Sequence, residues 1–194
     1  MKTLLESIMQ SRFPAHKIEE SILNKSGVGK IYQIQSWLDE HGIKNYTINS
    51  KGEVDVDGHV PLNGCGLTEF PQFIQFGTVK GQFSCAFNHL TTLRGCPRVV
   101  KQSFYCNSNE LTSLEGAPKK VGKGFYCSTN KLESLKGAPE KISGNFYCGF
   151  NLLNTLEGAP IEVGGSFYCR YNSTKFTEDD VREVCKVKKY IIVG

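Results

Sequence analysis

From Val79 onward the chain repeats one pattern of apolar and polar positions every 21 residues. In the unit Val121 to Lys141 the apolar positions are Val121, Phe125, Cys127, Leu132, Leu135 and Ala138. Phe125 and Cys127 lie two apart, which predicts a short strand with both on one face and Tyr126 on the other. Leu132 and Leu135 then close the far side of a coil. Gly137-Ala138-Pro139 makes the turn, because Gly reaches unusual backbone angles and Pro fixes the exit. In register, Phe83, Phe104, Phe125, Phe146 and Phe167 form one column, and Cys85, Cys106, Cys127, Cys148 and Cys169 a second. Leu93, Leu114, Leu135 and Leu156 form a third. A fixed period of this length predicts a solenoid, in which a coil cannot bury its apolar side alone and stacking supplies the core.

Asn88, Asn109, Asn130, Asn151 and Asn172 also fall in one column. Buried Asn at a tight bend is expected to satisfy backbone groups of its own and the adjacent coil, a structural role.

The ends of the stack break the period. Leu4, Leu5, Ile8 and Met9, then Ile18, Ile22 and Leu23, then Ile31, Ile34, Trp37 and Leu38 follow helical spacing, the last group ending near Gly42. Residues 1–45 are therefore read as an N-terminal helical cap. Tyr46-Thr-Ile48 and Val54-Asp-Val56 alternate as short strands about a Lys51-Gly52 turn. Leu62, Leu67 and Phe70 suit an irregular first coil. The solenoid is assigned to 46–176, with regular coils from about residue 79. Residues 177–194 form a closing helix and strand, with Thr177 and Asp180 spaced as a capping box. The expected class is α+β: a parallel β-solenoid of about six coils behind a helical cap. Ser26-Gly-Val-Gly-Lys30 lacks the first Gly and the Ser/Thr of a phosphate loop and reads as a helix-to-helix loop.

The motif Phe-x-Cys-x-x-Asn-x-Leu resembles the leucine-rich-repeat core L-x-L-x-x-N-x-L, with Phe and Cys in the first two Leu places. Asn109-Glu-Leu-Thr-Ser-Leu-Glu-Gly-Ala-Pro118 matches throughout the repeat unit of a leucine-rich-repeat-like group common in tailed bacteriophages. Asp57-Gly58-His59-Val60-Pro61-Leu62 is similar to that group's D-G-x-V-x-L entry coil. The resemblance covers the chain from about Ile43 onward. It implies a leucine-rich-repeat-like solenoid and a phage origin, and it brings no catalytic residues.

Composition narrows the setting. No apolar run approaches the ~18 residues of a membrane span. Met1 to Met9 carries an acid early and has no long apolar stretch, unlike a signal peptide. A cytoplasmic location, that of a host bacterium, is expected. Eight cysteines would suggest disulfides in a secreted chain. Five in one register position suggest instead a column of buried thiols. No C-x₂₋₄-C pair suits a zinc site, so no metal or cofactor is expected. Cys65, Cys96 and Cys185 are read as packed singles. The net charge of +4 is mild, and the turn side mixes signs, with a small basic cluster at Lys119, Lys120 and Lys123.

The outward strand column is Ser84, Tyr105, Tyr126, Tyr147 and Tyr168. Beside it run Ala86, Asn107, Ser128, Gly149 and Arg170, then Phe87, Ser108, Thr129, Phe150 and Tyr171. In a leucine-rich repeat this is the concave binding side. Tyr and Arg are frequent binding hot spots, so Phe87, Tyr105, Tyr126, Tyr147, Phe150, Tyr168, Arg170 and Tyr171 are the candidate partner-binding residues. Tyrosines on adjacent strands also stack with no partner at all. The reading is a non-enzymatic protein-binding module, phage-encoded and directed at a host bacterial protein, with no small-molecule substrate. The alternatives are a nucleic-acid-binding solenoid and a structural or assembly component of the virion. His16, His41, His59 and His89 are scattered, and the repeat register places no catalytic set.

Overall fold

The computed structural model describes residues 27–194. The helices expected around 4–9 and 18–23 lie outside the described residues. The third is α1, Gly27–Glu40. It begins earlier than its apolar pattern suggests. Gly27 to Lys30 form its first turn and not a loop, despite the roughly 1 kcal/mol that each Gly concedes to Ala in a helix interior.

After α1 the chain makes an antiparallel hairpin, β1 (Tyr46–Ile48) with β2 (Val54–Val56), Thr47 opposite Asp55. It then winds as a parallel β-solenoid of seven turns, one more than the six or so expected. Five regular coils follow the entry coil carrying β3 (Val60–Pro61), and the additional turn is the closing coil; the strands of both end coils fall outside the 21-residue period.

Each regular coil contributes two strands, not one. The first series is β4 (Phe76–Val79), β6 (Val99–Val100), β8 (Lys120–Val121), β10 (Lys141–Ile142) and β12 (Glu162–Val163). The second is β5 (Phe83–Ser84), β7 (Phe104–Tyr105), β9 (Phe125–Tyr126), β11 (Phe146–Tyr147) and β13 (Phe167–Tyr168). The first series extends through β14 (Lys186–Val187) and the second through β15 (Ile191–Ile192), giving an eight-stranded and a seven-stranded sheet. Repeat falls on repeat: Phe104 pairs with Phe125 and Tyr105 with Tyr126. The sheets meet at a corner between Val121 and Phe125, both inward and buried.

The core is a set of columns. The five repeat phenylalanines are wholly buried, with neighbouring ring centres 5.1–5.8 Å apart. Burying each contributes about 1.5–3 kcal/mol. Leu90, Leu111, Leu132 and Leu153 line the next wall, with Leu93, Leu114, Leu135 and Leu156 beyond. The cysteine column lies between, each thiol fully or almost fully buried. Burial raises the Cys106 and Cys148 thiols well above their ordinary range. Cys65 departs from expectation: it sits in the irregular entry coil and is exposed.

The Asn column is structural. Asn130 Nδ2 donates to the carbonyls of Cys106 (3.0 Å), Cys127 (3.1 Å) and Ser128 (3.4 Å), while its Oδ1 accepts from the Leu111 N–H (3.0 Å). One side chain thus ties two coils together. The residue before each of these Asn is left-handed: φ is 57° at Phe87, 57° at Ser108, 59° at Thr129, 54° at Phe150 and 59° at Tyr171.

Trp37, Ile34 and Leu38 of α1 cover the N-terminal end of the core, Trp37 meeting Phe70 and Phe76 edge-on at 6.3 and 6.4 Å. At the other end Thr177 caps α2 (Glu178–Val184): the Asp180 N–H donates to Thr177 Oγ1, and the Thr177 N–H donates to Asp180 Oδ2. Val181 of α2 is buried against the last coils. No described helix is long and apolar enough to cross a membrane.

Candidate partner-binding surface

The alternation Phe-Tyr-Cys decides which atoms reach the outer face of the seven-stranded sheet. Phe and Cys turn inward, so Tyr points out at every coil from β7 to β13. Parallel strands in register then set the tyrosines one strand spacing apart. Ring centres are 4.5 Å apart from Tyr105 to Tyr126, 4.8 Å from Tyr126 to Tyr147 and 4.1 Å from Tyr147 to Tyr168. Interplanar angles are 11°, 14° and 5°, so the rings form one face-to-face stack.

Each ring leans back over the residue two before it. A Cβ on Gly124 would come within 2.6 Å of Tyr126 Cε2. Ser103 and Ser166 occupy the same position and are buried, and Asn145 Nδ2 donates to the Tyr147 hydroxyl at 3.5 Å. The rings are half-buried against one another, and the two inner phenols resist ionisation. Burial, and after it the neighbouring Tyr168 and Tyr126 phenols, push Tyr147 up to about 12. Burial and Tyr105 also raise Tyr126.

The other candidate residues group by position along the stack. Phe150 and Tyr171 stack on each other at 4.5 Å and 29°, and both are more than half exposed. Phe87, 66% exposed, stands apart at the N-terminal end of the face. Arg170 is exposed beside Tyr168. The eight candidate residues therefore share one face, but as three groups: the tyrosine stack, the Phe150–Tyr171 pair with Arg170, and Phe87.

The column beside the tyrosines differs from expectation. Ala86 and Gly149 are buried, and a Cβ on Gly149 would lie 2.7 Å from the Arg170 carbonyl oxygen. The left-handed residue that follows points its own side chain outward, as at Phe87 and Thr129, and leaves a groove of about 430 Å³ between it and the tyrosines. Tyr105, Tyr126 and Tyr147 border the groove on one side, Phe87 and Thr129 on the other, with Asn63, Ser84, Ala86, Asn107 and Ser128 between. Asn107, Ser128 and Thr129 were not among the candidates. Their signal in the sequence is small or polar residues at fixed positions between two aromatic columns.

The turn side carries exposed ion pairs between coils. Glu110 lies between His89 (3.4 Å) and Lys131 (3.0 Å), and Lys136 meets Glu157 at 3.0 Å. Among the described residues no three His, Cys, Asp or Glu come together in a group that could hold a metal ion. No protein-family model matches the chain, and neither a curated protein nor a solved structure matches it.

Proposed function

We propose that the chain is a protein-binding module that takes its partner on the tyrosine-bearing face. The observation that carries this reading is the choice of residue at the left-handed bend. A non-Gly residue there concedes roughly 1–2 kcal/mol, and Gly, Asn or Asp concede least. Phe87, Phe150 and Tyr171 hold these positions instead, each more than half exposed. Backbone strain and exposed aromatic area both oppose folding and solubility, and neither returns packing to the core. Aromatic side chains at such positions suit contact with a partner, where Tyr and Phe are enriched. The tyrosine stack supplies a rigid floor whose side chains lose little further freedom on binding.

The resemblance of the repeats to those of tailed bacteriophages extends the proposal to a phage-encoded protein acting on a host protein in the bacterial cytoplasm. Nucleic acid is the weaker alternative. Bases stack on free aromatic faces, and the inner tyrosines cover one another's. No residue bordering the groove is charged.

The test is affinity capture from bacterial lysate, with wild type beside a Phe87→Ser/Phe150→Ser/Tyr171→Ser variant matched for circular dichroism. A protein held by wild type and lost by the variant supports the reading. An unchanged set of captured proteins overturns it.

A further inference from the structure

The tyrosine stack is one ring short at its N-terminal end. Ser84 pairs in register with Tyr105, and Pro61 pairs with Ser84, so Ser84 occupies a rung that every following regular coil fills with a phenol. Three observations mark the vacancy. Among the described residues Tyr105 has a ring stacked on one face only, that of Tyr126. Gln82, the residue on which the missing ring would lean, is exposed, whereas the equivalent Ser103 and Ser166 are buried. The groove reaches Ser84 and Tyr105 and is flanked there by the exposed Phe87.

The space has the dimensions of a ring. Pro61 and Tyr105 stand two strand spacings apart, about 9–10 Å. A planar ring above Ser84 therefore lies one rung spacing from each, near the 4.1–4.8 Å repeated down the stack. The chemistry is equally restrictive. The ten residues bordering the groove include amides and hydroxyls but no charged side chain. An uncharged ring with a polar edge fits, and a nucleotide phosphate would find no cation there.

We propose that this rung is completed by an aromatic side chain of the protein partner, stacked on Tyr105 above Ser84. The proposal rests on the binding-module reading and names the anchor by which that partner is held.

The probe is p-cresol, the side chain of tyrosine, titrated into isotope-labelled protein and followed by NMR. Wild type should show saturable upfield ring-current shifts at Tyr105 and Phe87. Ser84→Tyr supplies the missing ring and should weaken the response at least tenfold. Ser84→Ala leaves the rung vacant and should respond as wild type does. Absence of saturable shifts in wild type, or an equal response in Ser84→Tyr, overturns the slot, as does adenosine monophosphate binding there in preference to p-cresol. Lysate capture separates this failure from that of the underlying reading. Should the Phe87/Phe150/Tyr171 variant lose a partner that Ser84→Tyr keeps, the slot falls and the binding face stands. Retention by both overturns both.

Discussion

The rings of Tyr147 and Tyr168 lie 4.1 Å apart and within 5° of parallel, the closest approach in a stack of four phenols. Burial and the neighbouring Tyr168 phenol both disfavour ionisation of Tyr147. Tyr147 is accordingly pushed up to about 12, against an ordinary value of 10.0. In the unfolded chain the same phenol loses its proton near 10. Between these values the unfolded state binds fewer protons, so the stability contributed by the neutral stack is complete below pH 10 and is lost as pH rises towards 12. Ultraviolet titration of tyrosinate should show Tyr147 ionising late, with urea midpoints falling across the same window.

Asn130 tests the ladder that joins the coils. Replacing it with Ala leaves the Leu111 N–H without its acceptor and removes the donor shared by the carbonyls of Cys106, Cys127 and Ser128. Those carbonyls each keep a second donor, Asn109 Nδ2, Asn151 Nδ2 and the Ser108 N–H, so the Leu111 N–H is the group left orphaned; at roughly 1–3 kcal/mol for such a group, Asn130→Ala should destabilise by about 1–3 kcal/mol. Asn130→Asp is expected to be no milder, since a carboxylate faces three carbonyl oxygens. Urea denaturation measures both.

The left-handed bend gives a prediction of the opposite sign. Phe87 adopts φ 57° with its side chain in solvent. Phe87→Asn keeps the turn, relieves strain and gives up little packing. It should leave the protein as stable or more stable by up to about 1 kcal/mol, while weakening partner capture. A loss of stability would mean that the exposed ring serves the fold.

Thiol chemistry should divide the eight cysteines one to seven. Cys65 is exposed, while the other seven are buried. Burial also raises Cys185, at the end of α2, to about 11. An aromatic disulfide reagent at neutral pH is expected to label one thiol per native chain quickly and all eight in denaturant.

Much of this architecture is legible from residue spacing. The 21-residue period specifies the inward Phe and Cys and the outward Tyr, because strand alternation leaves no other choice once Phe is in the core. The hairpin at Tyr46 and Val54 and the Thr177–Asp180 cap are equally local. The second sheet is hidden because most of its strands in the regular coils carry no alternation: Lys120-Val121, Lys141-Ile142 and Glu162-Val163 each show one apolar residue beside a charged one. The groove is hidden for a different reason. It depends on φ near +57° at Phe87, Ser108, Thr129, Phe150 and Tyr171, and none of these residue types announces a left-handed bend. The seventh turn escapes the period because α2 is inserted between β13 and β14.

The most direct measurement is site-specific photo-crosslinking in bacterial cells. A photoreactive phenylalanine analogue would be placed at Phe87, Phe150 or Tyr171, and at Lys136 on the turn side. The same protein should be captured from the three aromatic positions and not from Lys136. Crosslinking from Lys136 alone, or from none of the aromatic positions, would contradict a partner seated on the tyrosine-bearing face.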